Sequence, residues 1–120
     1  MESQNPMGSE FDPSLLGTRP RTEVLRASAA LAQVTHDLSP TGRTALGALA
    51  AYRWALGDGA AAPITGFRTE GCPTVPALTA EVDAAAVQWE STRKGTAAHD
   101  YLRGVHTALA WICGYTERRP

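Results

Sequence analysis

Three polar side chains near the C-terminal end of the chain are the clearest candidates for a chemical role. His99, Arg103 and His106 follow one another at intervals of four and three residues, which places them on one face of a predicted helix. Two histidines seven residues apart are separated by two helical turns, roughly 10 Å, which is too far for one metal ion. We interpret this face as a polar surface that could hold a ligand or a partner, and we predict no catalytic residue and no metal.

The two cysteines give no sign of a bound cofactor or a disulfide framework. Cys72 lies between Gly71 and Pro73, and Cys113 falls inside the last predicted helix. No Cys-x-x-Cys pair is present, and no base is predicted beside either thiol. The sequence therefore predicts no cofactor, and it favours a reducing, cytoplasmic location.

Six aromatic side chains on the predicted helices could line a ligand pocket or fill a core. In an alanine-rich chain they must supply much of the buried bulk, so we interpret them as core or as a dimer seam. Tyr101 and Trp111 join His99, Arg103 and His106 as the ligand or interaction candidates. The six aromatic residues are Tyr52, Trp54, Trp89, Tyr101, Trp111 and Tyr115.

The composition indicates one small domain. The chain has 120 residues, and its 11 Lys and Arg nearly balance 12 Asp and Glu, for a formal net charge of −1. Such a charge argues against a nucleic-acid coat or a polybasic membrane anchor. Neither a long apolar run nor a basic-then-apolar start is present, so we expect no membrane span and no signal peptide. Lys94 is the only lysine among many arginines, which is typical of a GC-rich bacterial genome.

Two helices are predicted in the first half of the chain. Apolar residues at intervals of three and four predict helix 1 over 21–38, with the stripe Val24, Ala27, Leu31, Val34 and Leu38. Ser39 followed by Pro40 predicts the start of helix 2, which ends near Leu56. We expect residues 1–17 to be disordered, and residues 1–11 read like an expression tag.

Two further helices follow a long segment rich in Gly and Pro at 57–76. Helix 3 is predicted to begin between Pro76 and Ala80, with Thr79 as a possible cap, and to end at Gly95. Helix 4 is predicted to begin after Thr96 and to end at Gly114. Its stripe is the most apolar of the four: Leu102, Val105, Leu109 and Ile112. The fold class predicted is therefore all-α, a small up-down four-helix bundle of two helical hairpins joined by the long loop.

Three functions are compatible with this fold. The favoured one is an accessory or regulatory protein that acts through protein–protein contact, with a homodimer seam on helix 4 at Trp111. The second is a small DNA-binding regulator in which Arg43, Thr44 and Arg53 of helix 2 contact DNA. The third is a small-molecule binder or enzyme with a pocket under the 57–76 loop. The sequence does not identify the protein partner, and it favours neither nucleic acid nor a membrane.

Overall fold

Most of the chain that the structure describes is helical. The structure is a computed structural model, and it describes residues 14–34, 39–58, 61–68 and 71–119. Its elements are β1 (Leu15–Leu16), β2 (Arg19–Pro20), α1 (Arg21–Ala32), α2 (Pro40–Ala55), α3 (Val75–Ser91) and α4 (Ala97–Ile112). The predicted all-α class and the four helices are confirmed, whereas the up-down direction of the helices stays a prediction. None of the described helices combines the length and apolarity that a membrane crossing requires.

The central pair of the fold is α2 against α4, and two glycines let their backbones touch. Gly47 on α2 faces the carbonyl oxygen of Tyr101, and Gly104 on α4 faces the carbonyl oxygen of Thr44. A Cβ at either glycine would lie closer to the opposite backbone than the 3.0 Å that real Cβ atoms keep. The alanines beside Gly47 prolong this close contact, because Ala48 and Ala51 are fully buried. The remaining helices pack outward from this pair, α1 on α2 and α3 on α4.

The starts of α2 and α4 agree with the sequence prediction. The hydroxyl of Ser39 accepts a hydrogen bond from the Gly42 amide, and that of Thr96 accepts one from the His99 amide. Each hydroxyl satisfies one of the amides that a helix N-terminus leaves without a backbone partner. Gly57 ends α2 with a φ of +77°, in the left-handed region that glycine adopts at low cost.

Helix α3 begins earlier than predicted and ends earlier. Thr74, not Thr79, is its N-cap and accepts from the Ala77 amide, while Pro76 lies in the first turn, where no amide is needed. The helix stops at Ser91 instead of Gly95. Thr92 takes an extended conformation with φ −92° and ψ 151°, and its hydroxyl donates to the Trp89 carbonyl at 2.8 Å. This side-chain bond replaces the next turn of helix.

Helix α1 is shorter than its apolar stripe predicted. Val24 and Ala27 are buried, but the helix ends at Ala32. Val34 lies beyond it, 38% exposed. Since short helices in water depend on packing of their apolar face, the stripe cannot extend the helix where nothing covers it. Leu38, the last member of the predicted stripe, lies outside the described residues.

A short antiparallel strand pair covers the C-terminal end of α4. The amide and the hydroxyl of Thr18, in the turn between β1 and β2, both donate to the carbonyl of Ile112, at 2.8 and 2.9 Å. The guanidinium of Arg19 donates through Nε to the carbonyl of Trp111 at 2.7 Å. These bonds satisfy carbonyls that the helix end leaves open, and the cation opposes the negative end of the helix dipole.

The same strand pair corrects the expectation that residues 1–17 are disordered. Residues 14–17 are part of the packed structure, and Leu16 is 2% exposed within the core. The contacts responsible join positions more than 90 residues apart, so no local sequence pattern announces them. Residues 1–11, interpreted as a tag, lie outside the described residues.

We predict that Gly104→Ala destabilises the protein although alanine is the better helix former. Overpacking of the α2–α4 contact costs about 1–3 kcal/mol and outweighs a gain of about 1 kcal/mol in helix propensity. The free energy of unfolding in urea measures the difference. Ala97→Ser, which also adds one heavy atom but at an exposed position of α4, serves as the control. An increase in stability for Gly104→Ala would show that the two backbones do not touch.

Candidate functional site

The described structure has a groove of about 540 Å³ that is lined by both apolar and charged side chains. We call it the cationic groove. All four helices and the C-terminal segment contribute to it, so residues far apart in sequence meet there. Its apolar lining includes Leu31, Val34, Ala45 and Trp89, its charged lining is Asp100, Arg103, Arg118 and Arg119, and Pro40, Thr41, Thr44 and Thr107 complete it.

The positive charge of the groove is not balanced within the described chain. Asp100 is buried, and it accepts two hydrogen bonds on the same carboxylate oxygen from Arg43, from Nε at 3.1 Å and from Nη2 at 2.7 Å. This pair joins α2 to α4, and the Arg43 cation neutralises the carboxylate charge of Asp100. Arg103, Arg118 and Arg119 are exposed and have no carboxylate partner among the described residues. A chain of net charge −1 thus concentrates three cations beside an apolar floor.

One wall of the groove is Trp89, which two histidines hold in place. Its indole N–H donates to Nε2 of His99 at 3.0 Å, and Nδ1 of His99 lies 3.1 Å from the hydroxyl of Thr92. That hydroxyl donates its proton to the Trp89 carbonyl, so it can only accept from Nδ1. The partners therefore select the neutral tautomer of His99 with the proton on Nδ1.

His106 also packs against the indole of Trp89. Its ring centroid is 5.4 Å from that of Trp89, with an angle of 32° between the planes. Burial against the indole disfavours the imidazolium and lowers the pKa of His106 below its usual value of 6.5. The predicted polar face of His99, Arg103 and His106 is therefore divided. The two histidines are half-buried against α3, and only Arg103 is exposed.

Trp111, the candidate for a dimer seam, lies in the core of the single chain. It is 4% exposed and meets Tyr52 edge to face, with centroids 6.2 Å apart. Two guanidinium groups cover its ring, Arg19 at 4.8 Å and Arg119 at 5.8 Å from the centroid. The indole therefore has no face to offer a second copy. Helix periodicity places Trp111 beside the apolar stripe of α4. It cannot show that Arg19 and Arg119, near the two ends of the described chain, cover the ring.

Tyr101, the other aromatic candidate, is half-buried against the core, and burial raises the pKa of its hydroxyl. Its backbone carbonyl forms one side of the glycine contact at Gly47. The part this residue plays in the described structure is in packing, and it does not line the cationic groove.

The candidate DNA-contacting residues all lie on α2, and they differ in exposure. Arg43 is bound to Asp100, and Thr44 is half-buried with its hydroxyl donating to the Pro40 carbonyl at 2.8 Å. Only Arg53 is exposed. Helix α2 packs against both α1 and α4. Its described side chains therefore form no continuous exposed row that could enter a DNA groove.

A second, smaller cavity of about 190 Å³ lies under the long loop, where the sequence placed a possible ligand pocket. Glu81, Thr65 and Trp54 are among its lining residues. Its volume is below the 300 Å³ or more of typical ligand pockets. The indole N–H of Trp54 has no hydrogen-bond partner in the described structure, but the atom is itself buried, so an occupant of the cavity would not meet it.

Glu81 fastens the long loop to α3. The side chain is 2% exposed, and it accepts hydrogen bonds from the amides of Ile64 and Thr65 and from the Thr65 hydroxyl. Within this loop, residues 62–67 form a turn in which the Ala62 amide donates to the Phe67 carbonyl at 2.9 Å. Cys72, at the end of the loop, is exposed, and Arg21 donates to its sulfur at 3.0 Å.

Sequence reasoning identifies Arg103 and Thr44 as candidate site residues and misses the rest of the cationic groove. The apolar spacing predicts that Leu31 and Val34 belong to the core stripe of helix 1, and Trp89 is predicted to lie in the core or a dimer seam. Arg118 and Arg119 are not among the predicted site residues, although two adjacent arginines are a detectable basic signal. No local sequence pattern indicates that Arg118 and Arg119 line the same groove as residues of α1 and α4.

We predict that His106 makes the protein less stable in acid. The unfolded chain takes up the proton near pH 6.5, whereas the native imidazole resists it, so stability falls as the pH drops from 7 through 6.5 toward the lower native pKa. His106→Gln removes this contribution, and the free energy of unfolding should then change less between pH 7 and pH 5. Arg53→Gln, which alters no group that titrates in this range, keeps the wild-type slope. An unchanged slope in His106→Gln would contradict the assignment.

A second prediction concerns the loop. Glu81→Gln keeps the shape of the side chain but removes the charge that three donors bind, so we expect about 1–3 kcal/mol less stability and faster tryptic cleavage after Arg68. Asp58→Asn makes the same change at an exposed position that follows α2 and should alter neither quantity by much. Equal cleavage rates in all three proteins would show that Glu81 does not hold the loop.

Comparisons of the chain with protein-family models, with curated proteins and with solved structures find no match. The function therefore has to be inferred from the site itself, and the cationic groove joins a volume of about 540 Å³ to three arginines without a carboxylate partner among the described residues.

Proposed function

We propose that this protein is a small accessory or regulatory protein that acts by binding another protein, and that the cationic groove receives an acidic segment of that partner. The observation that carries the proposal is the combination of three exposed arginines, which have no carboxylate partner among the described residues, and the apolar side chains of Leu31 and Val34 beside them. An acidic segment with one apolar side chain complements both features. The arginine bias and the two free cysteines support a bacterial cytoplasm as its setting.

The exposure of the lining favours a protein segment over a small molecule. Small-molecule sites usually bury most of their ligand in an enclosed pocket. Half of the side chains around the cationic groove are exposed, including all three arginines and Val34. An open groove of this kind contacts one side of a peptide segment bound along it. Arginine is well suited to bidentate contact with the carboxylates of such a segment.

The charge arrangement suggests a partner that binds quickly and reversibly. Exposed charges mainly raise the association rate and set specificity, and salt screens them over about 10 Å at 0.1 M. A single groove also buries less surface than the interfaces of permanent complexes. Both properties fit a regulatory contact that forms and dissociates with the concentration of the partner.

The test uses a short peptide that carries several glutamates and one leucine, and its Glu→Gln counterpart. We expect isothermal titration calorimetry to detect the acidic peptide alone, with an affinity that falls as salt is raised. Arg103→Glu should weaken binding by about tenfold or more, because a favourable charge becomes a repulsive one. Val34→Ser, at an exposed position, should weaken binding with little effect on stability.

Arg53→Glu is the matched control, since it reverses an exposed arginine outside the groove and should bind the peptide like wild type. Equal binding of the neutral peptide, or an unchanged affinity in Arg103→Glu, would contradict the proposal. Tight, salt-dependent binding of duplex DNA without binding of the peptide would instead support the interpretation as a DNA-binding regulator.

A further inference from the structure

The outer face of α3 combines acidic and apolar side chains in one line. Asp83, Val87 and Glu90 follow at intervals of four and three, and all three are exposed. We call this line the α3 acidic face. Val87 is 64% exposed, the highest value among the large hydrophobic side chains of the described chain. On the opposite side of α3, Leu78 and Val82 are buried, so the orientation of the helix is fixed and the α3 acidic face must point outward.

The two carboxylates of this face have no ion-pair partner in the described structure. Sequence spacing predicts that Glu90 pairs with Lys94 on the same helix, but α3 ends at Ser91 and the pair does not form. Asp83 likewise has no cation beside it among the described residues. The face therefore carries two uncompensated negative charges around one exposed valine, the inverse of the cationic groove.

We infer that the cationic groove of one chain receives the α3 acidic face of a second copy. The inference rests on the proposed function and names the acidic segment. The acids on either side of Val87 would meet the arginines, and the valine would cover the apolar floor near Leu31 and Val34. Each chain carries both surfaces, so the contact can be reciprocal, and a two-fold axis would fill both grooves and close a dimer.

This pairing relates self-association to partner binding. A groove that holds α3 of a second copy cannot hold an acidic segment of another protein at the same time. Dissociation of the dimer is then linked to partner binding, and an acidic partner shifts the chain toward the monomer by mass action. The homodimer expected from the sequence is thereby assigned to the cationic groove and not to Trp111.

The experiment exchanges the charges of the two surfaces in separate chains. The groove variant carries Arg103→Glu and Arg118→Glu together, so that two acids outnumber the remaining Arg119, and the face variant carries Asp83→Arg and Glu90→Arg together. Wild type should dimerise at micromolar concentrations in sedimentation analysis, whereas each variant alone should be monomeric, because its groove and its α3 acidic face then repel each other. Circular dichroism establishes that both variants keep the fold.

An equimolar mixture of the two variants should dimerise again. In the mixed pair, the reversed groove meets the reversed face, and the two remaining wild-type surfaces meet each other. Arg53→Glu should behave as wild type, and Val87→Ser should weaken the dimer by about tenfold or more, the effect of leaving one or two valines unburied. A monomeric wild type, or a dimer that survives both reversals, would overturn the inference.

The proposed function is tested separately in the face variant, whose cationic groove is unaltered and unoccupied by a second copy. Binding of the acidic peptide to this variant together with a monomeric wild type would overturn the self-association and leave the proposed function standing. Absence of peptide binding to the face variant would overturn both.

Discussion

The close approach of α2 and α4 is the constraint on which the rest of the structure depends. Gly47 and Gly104 bring the two backbones into contact, each facing a carbonyl of the opposite helix. Large apolar side chains are scarce in this chain, so a core of ordinary helix spacing would have to be filled by residues it does not have. Alanine and glycine allow the two helices to pack at a shorter distance, so that small side chains still give dense packing. The Arg43–Asp100 pair then joins the same two helices near the groove, where both charges are partly shielded from water.

The two ends of the described chain complete α4, and by doing so they also shape the site. Thr18 and Arg19 satisfy carbonyls at the end of the helix, and the guanidinium groups of Arg19 and Arg119 cover the ring of Trp111. Because the C-terminal segment returns over α4 to make this contact, Arg118 and Arg119 are brought to the edge of the cationic groove. The contacts that stabilise the end of α4 thus also bring Arg118 and Arg119, two of the three cations, to the proposed binding surface.

The short α1 and the early end of α3 open the groove from its other sides. Val34 lies past the end of α1 and stays partly exposed, and Thr92 ends α3 so that Trp89 stands against His99 and His106. A longer α1, as its apolar stripe predicted, would have continued past this opening. The positions where local sequence patterns and structure disagree therefore coincide with the lining of the candidate site. That coincidence is expected where a surface is kept open for binding at some cost to regular structure.

The sequence by itself determined the number of helices, the buried stripe of α4 and the starts of α2 and α4. Ser39 and Thr96 act on amides three residues away, so these signals need no distant partner. Tertiary structure alone decided where α1 ends, why residues 14–17 are packed, and that Trp111 belongs to the core. It also decided the cationic groove, because the lining residues come from every helix and the C-terminal segment. Asp100 in that lining is held by Arg43, which lies 57 positions away in the sequence. Caps and stripes are local because a hydrogen bond or a helical face is fixed within a few residues, whereas a groove is defined by surfaces that meet only after the chain has packed.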